Sequence, residues 1–126
     1  MVSFEGFEPV GDSPIYLQIL NFIKRGAVAG AVTHGEELPS RRVLSALLGV
    51  NPNTVQKAFH LLEEQGLIES RSGAKSVMTL EKDKIARIRA ELLGQDMARL
   101  VTALKTCGVT KEEAVSLLQK SWEGED

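Results

Sequence analysis

Two short apolar helical stripes, broken by Gly49-Val50-Asn51-Pro52, constrain this chain more than any other feature. A glycine suits the left-handed residue that ends a helix. An asparagine is a strong cap for the next helix. A proline is tolerated at a helix's first position, where its missing N–H has no intrahelical partner. Leu44, Leu47 and Leu48 precede the break, and Val55, Ala58, Phe59 and Leu62 follow it, at the three- and four-residue spacing of a buried helix face. With Ser40 as cap, the pattern predicts a helix over 41–48, a tight turn closed by Val50, and a second helix from Pro52 that ends at Gly66. That order is a helix-turn-helix.

The flanks extend it. Ser13 reads as a cap with Pro14 at the first helical position, and Tyr16, Ile19, Leu20, Ile23 and Ala27 carry a helix to about Ala29, ended by Gly30. Residues 1–12 read as an irregular arm that Phe4, Phe7 and Pro9 dock onto a neighbouring surface, and Val32–Leu38 as a loop. Leu67–Ser70 and Ser76–Leu80 read as two strands around the turn Arg71–Lys75, a wing. After Glu81 the apolar positions Ile85, Ile88, Leu92, Leu93, Met97, Leu100, Val101 and Leu104 predict a long helix to about Lys105, ended by Gly108. Thr110 and Glu113 form a capping box for a last helix, Lys111–Trp122, with Ala114, Val115, Leu118 and Trp122 on one face.

The fold class is therefore mainly α: a winged helix-turn-helix of three helices plus a two-stranded hairpin over residues 1–80, followed by a two-helix tail over 81–126. Two helices bury too little surface to close a core alone. Their apolar positions, Ile85, Ile88, Leu92, Met97, Leu100, Leu104, Leu118 and Trp122, are expected to form a dimerisation face.

Composition narrows the setting. At 126 residues with 43% apolar content, the chain has enough material for one ordinary domain, or a small domain with an appendage, and wholesale disorder is disfavoured. A single cysteine, Cys107, excludes an intrachain disulfide framework and points to a reducing, cytoplasmic setting; it reads as a small core residue. No apolar run is long enough to span a bilayer, and the acidic N-terminus lacks a signal-peptide pattern. The net charge of −2 does not announce a nucleic-acid binder. Its distribution is more informative. No Asp or Glu occurs between Glu37 and Glu63, so acid is absent where a phosphate backbone would approach a helix-turn-helix.

A helix-turn-helix places its second helix in a DNA major groove. Asn51, Asn53, Thr54, Gln56 and Lys57 are the side chains at its start that the core does not need. Asn and Gln can bond adenine edges in pairs, Thr can reach a phosphate or a thymine methyl, and Lys a phosphate or guanine. The plain alternative is that Asn51 only caps and the others are a solvated face. Ser40, Arg41 and Arg42 stand at the N-terminus of the preceding helix, a natural phosphate seat; alternatively an arginine pairs with Glu36 or Glu37. Arg71 and Lys75 at the wing tip can straddle the minor groove or simply be solvated. Lys24 and Arg25 read as ordinary C-terminal helix charges. His34 and His60 have no neighbour at metal-ligand spacing, and no catalytic constellation or cofactor motif is present. The expectation is a non-enzymatic binder of double-stranded DNA without metal or cofactor. Its rivals are a winged-helix module that binds protein, and a regulator gated by a small-molecule effector.

The motifs Pro-Ile-Tyr-Leu-Gln-Ile at 14–19, Leu-Pro-Ser-Arg-Arg-Val-Leu at 38–44, Gly-Val-Asn-Pro-Asn-Thr-Val at 49–55 and Leu-Glu-Glu-Gln-Gly-Leu-Ile at 62–68 together resemble the GntR family of bacterial transcription regulators. The short helical tail and the Asn-Pro-Asn-Thr-Val turn look most like the YtrA-type subfamily. The resemblance implies a homodimeric, DNA-binding regulator, usually a repressor, on a palindromic operator. It also implies that Arg42, Asn51, Asn53, Thr54 and Gln56 sit at DNA-contact positions, and that Gly73 is the wing-tip glycine. Two departures stand out: Pro52, where many members carry Arg, and Lys75, where the wing often has a second glycine. Larger relatives add an effector or aminotransferase-like domain, for which the tail here is expected to be too short.

Overall fold

The computed structural model describes residues 1–72 and 75–124. In chain order the elements are α1 (Ile15–Ala29), β1 (Glu37–Leu38), α2 (Arg41–Leu48), α3 (Pro52–Glu64), β2 (Ile68–Arg71), β3 (Lys75–Met78), α4 (Lys82–Thr106) and α5 (Lys111–Trp122). The fold is mainly helical, with one antiparallel sheet in the order β1-β3-β2. The chain divides into two compact units, Met1–Arg89 and Ala90–Asp126. The division falls inside α4, later than the boundary at 80/81 expected from the change in pattern.

In the first unit α3 packs on both α1 and α2. Ile19, Leu20, Ile23 and Ala27 from α1, Leu44 from α2, and Val55, Ala58, Phe59 and Leu62 from α3 are buried, together with Leu67, Ile68, Met78 and Leu80. Burying each large member of this set contributes roughly 1.5–3 kcal/mol, so the stripes, more than helix propensity, hold these short helices. Leu47, expected on the buried face of α2, is 67% exposed, and Val43 is also exposed. Leu44 and Ser45 point inward instead, because an eight-residue helix has room for little more than one inward turn.

The α2–α3 turn is tightly closed. Gly49 takes φ +68°, which a side chain would strain. The buried Ser45 hydroxyl donates to the Val50 carbonyl at 2.6 Å, and the Val50 amide donates to the Ser45 carbonyl at 3.1 Å. Asn51 Oδ1 accepts from the Asn53 amide at 2.8 Å, with Pro52 opening α3.

Three features differ from expectation. Pro14, not Ser13, occupies the cap position of α1, and no side-chain bond caps that helix. The stretch read as a loop contains β1, which turns the two-stranded wing into a three-stranded sheet through Glu37↔Val77 and Leu38↔Ser76. Two residues carry no periodicity, so only pairing reveals them. The wing itself pairs Ile68↔Met78 through Arg71↔Lys75. The arm docks through Phe4 and Phe7 as expected, whereas Pro9 is exposed. Val2 and Phe4 are buried, Phe4 stacks on Phe22 at 5.5 Å between centroids, and Phe7 meets Phe22 edge-on at 5.4 Å. The Val2 amide donates to the Glu37 carbonyl at 2.8 Å, tying arm to β1.

Gly66 joins helix to sheet. Its carbonyl accepts from Thr79 Oγ1 and from Lys84 Nζ, both at 2.7 Å. The Leu80 amide donates to His34 Nδ1 at 2.9 Å, which gives His34 a structural role.

In the second unit, Thr110 Oγ1 accepts from the Glu113 amide and caps α5. Nothing on α5 is buried. Leu93, Met97, Leu100, Val101, Val115, Leu117, Leu118 and Trp122 are all exposed. Two members of the expected dimerisation face differ: Ile88 and Leu92 are already buried in the single chain, which leaves them no surface for a second copy. Cys107 is exposed, not a core residue. Among the described residues no helix is long and apolar enough to cross a membrane.

Leu44 and Leu47 provide a direct check of the α2 orientation. Leu44→Ala should lower unfolding stability by about 2–5 kcal/mol, whereas Leu47→Ala should stay within about 0.5 kcal/mol. Equal losses in urea titrations would contradict it.

Candidate nucleic-acid interface

The buried stripe of α3 leaves a defined outer face. Asn53, Gln56, Lys57 and His60 are exposed and Thr54 is half-buried. Among the described residues the side chains of Asn53 and Gln56 have no hydrogen-bond partner, so their amide groups remain available. Asn51 is also exposed, but its Oδ1 is committed to capping α3; its amide nitrogen alone remains for another partner. His60 lies 3.4 Å from Glu64 in an exposed i,i+4 pair.

Two predicted cations are held on aromatic rings. The Arg41 guanidinium lies 5.1 Å from the centroid of the buried Phe59, and its Nε is buried without a hydrogen bond. Arg41 thus acts as a lid on the α2–α3 core, while Arg42 points to solvent with no partner among the described residues. Lys57 Nζ lies 4.2 Å from the Tyr16 ring of α1, an exposed contact worth about 0.5–1 kcal/mol. These rings, and Ser45 beneath the turn, were not singled out from the sequence as site residues. Tyr16 and Lys57 lie far apart along the chain, and no local signal pairs them.

Ser40 Oγ accepts from the Val43 amide at 3.2 Å. At the wing, Arg71 and Lys75 are directly opposed across the hairpin and exposed. Like charges in that position repel, and the exposed Arg71–Glu69 pair at 3.5 Å compensates weakly. An approaching phosphate would relieve the repulsion. Gly73 lies outside the described residues.

The acid-free stretch therefore maps onto α2 and most of α3, with Glu63 and Glu64 confined to the end of α3. Among the described residues no group of His, Cys, Asp and Glu is placed to hold a metal ion.

The family model for bacterial regulatory proteins, gntR family, matches residues 15–77, the span from α1 through the wing. The Bacillus subtilis HTH-type transcriptional repressor YtrA is 35% identical over 91 residues, covering 68% of this chain and 70% of that protein. A GntR family transcriptional regulator from Listeria monocytogenes superposes with a TM-score of 0.78 at 29% identity, covering 89% of this chain and 98% of that one. The DNA-binding domain of AraR, solved in complex with operator ORX1, superposes with a TM-score of 0.50 at 25% identity over 58% of this chain.

The cap geometry separates the two roles of Asn51. Asn51→Ala should lower stability by about 1 kcal/mol, the usual cost of a lost N-cap, and Asn51→Asp should retain the wild-type value because the acceptor oxygen is kept. Thermal unfolding of the three proteins checks this; an Asp variant as weak as the Ala variant would exclude the capping role.

Proposed function

The chain belongs to the gntR family of bacterial regulatory proteins, and from that membership we propose that it represses transcription by occupying a palindromic operator as a homodimer. That it is a transcriptional regulator with a DNA-binding winged helix-turn-helix of YtrA-like type follows from the family itself.

One observation carries the reading: the unpartnered Asn53 and Gln56 on the exposed first half of α3, a helix whose acids, Glu63 and Glu64, stand at its far end. In a major groove these amides read adenine edges. Thr54 reaches a phosphate or a thymine methyl. Arg42 contacts guanine or phosphate from the first turn of α2, and Ser40, with its helix N-terminus, seats a phosphate. Lys57 swings from Tyr16 to the backbone, a low-cost move for a long side chain leaving one exposed contact. Arg71 and Lys75 hold the wing against the flanking backbone. Arg41 stays on Phe59 as a structural cation.

The homodimer reading rests on the second unit. Met97, Leu100, Val101, Leu118 and Trp122 expose apolar surface on two helices, and a second copy covers such a surface while supplying the paired recognition helices that a palindrome demands. The repressor reading follows the similarity to YtrA, an HTH-type transcriptional repressor.

Selection of bound duplexes from a random pool should return an inverted repeat. On that sequence Arg42→Ala should cost about 1–3 kcal/mol, the range for one base contact, and affinity should fall steeply with salt. Unchanged binding would remove Arg42 from the interface, and a flat salt response would favour a protein-binding module. Light scattering at micromolar concentration should give twice the chain mass; a monomer would exclude the homodimer.

A further inference from the structure

The second unit carries both a cavity and a shape to fill it. Between the end of α4 and the start of α5, Val101, Leu104, Val109 and Ala114 line a half-open, mainly apolar cleft of about 270 Å³, with Lys105, Thr110 and Lys111 also in its wall. An enclosed apolar cavity of roughly 150 Å³ already accepts a benzene ring; this larger cleft, open on one side, has the volume to receive part of an indole from outside. At the other end of α5 stands Trp122, 85% exposed and the only tryptophan in the chain. The rigid helix between them keeps Trp122 about 17 Å along the axis from Lys111, too far to enter its own chain's cavity.

We propose that the α5 helices of two copies pack antiparallel about a two-fold axis, each inserting Trp122 into the α4–α5 cavity of the other. Lys111, Val115, Leu118 and Trp122 follow the spacing of one helix stripe. In the register where Val115 meets the second copy's Leu118, Trp122 falls against the second copy's Lys111, since both lie four residues outward. A two-fold interface must be complementary to itself. A helix with a cavity at its start and a plug at its end meets that condition, provided the two helices run in opposite directions. The charges agree as well. Lys105 and Lys111 are among the lining residues, and an ammonium beside the face of an indole is favourable. The plug would bury some 150–250 Å² per copy, apolar area that the single chain leaves in water.

This inference rests on the homodimer reading and is tested separately from it. Indole fluorescence reports on Trp122 alone, because no other tryptophan is present. In the dimer its emission should be blue-shifted and protected from acrylamide, and dilution below the dissociation constant should reverse both. Trp122→Ala should weaken the dimer about tenfold or more, as for a buried aromatic anchor. Ala114→Leu, which fills the cavity, should do the same and should also red-shift Trp122 emission. Circular dichroism establishes that both variants keep their helices. A wild-type dimer whose indole stays solvent-like, or whose emission ignores Ala114→Leu, overturns the plug and leaves the homodimer standing. A wild-type monomer removes both.

Discussion

Everything at the candidate interface depends on how α3 is clamped. Its inner stripe is packed on α1 and α2, and its entry is fixed within three residues by Gly49, Val50 and Asn51. The Ser45 hydroxyl, buried under the turn, is the less obvious element. By donating to the Val50 carbonyl at 2.6 Å it satisfies a group that neither helix could pair. A recognition element must present two or three side chains to within fractions of an ångström, and a helix braced along its inner face and fixed at its N-terminus does so at little entropic cost on binding.

The charge arrangement follows the same economy. A chain of net charge −2 approaches a polyanion only if repulsion is kept off the contact face, and the gap between Glu37 and Glu63 achieves this by omission. The cations on that face are held in different ways. Arg41 lies over Phe59 and Lys57 over Tyr16, rings that hold a positive charge without neutralising it as a carboxylate would. Arg71 and Lys75 are forced together by strand register. Positive charge is thus kept near the surface, and binding need not first break strong ion pairs.

Local signals made most of the fold legible in the sequence. Gly49, Asn51 and Pro52 bounded α2 and α3, Thr110 started α5, and the α3 stripe named its buried residues correctly, whereas in α1 Tyr16 is only half-buried and the unanticipated Lys24 is buried. What could not be read is what depends on distant partners. β1 is two residues long and exists because β3 lies beside it. Leu47 shares the spacing of a core residue, yet it is exposed and borders an open cleft beside the N-terminal arm. Among the site residues, Arg41 and Arg42 are alike in residue type and adjacent in sequence, and only the family resemblance separates them there. The position of Phe59 gives the physical reason, assigning Arg41 to packing and leaving Arg42 free. Asn51 is the reverse case: its cap role follows from position alone, and the geometry bears it out.

The long helix changes character along its length, which bears on the proposed pairing with a second copy. Ile88 is buried, whereas Leu93, Met97, Leu100 and Val101 are exposed although the apolar pattern runs on without interruption. Periodicity records that a face is covered, not by what. α5 makes the point more sharply. Twelve residues with no buried side chain are marginal as a helix in water, and the Thr110 cap contributes only about 1 kcal/mol. Burial of the Val115, Leu118 and Trp122 stripe would supply what the cap does not. In that arrangement the order of α5 and assembly would be one equilibrium, so the number of paired recognition helices would follow protein concentration more steeply than a preformed tail would allow.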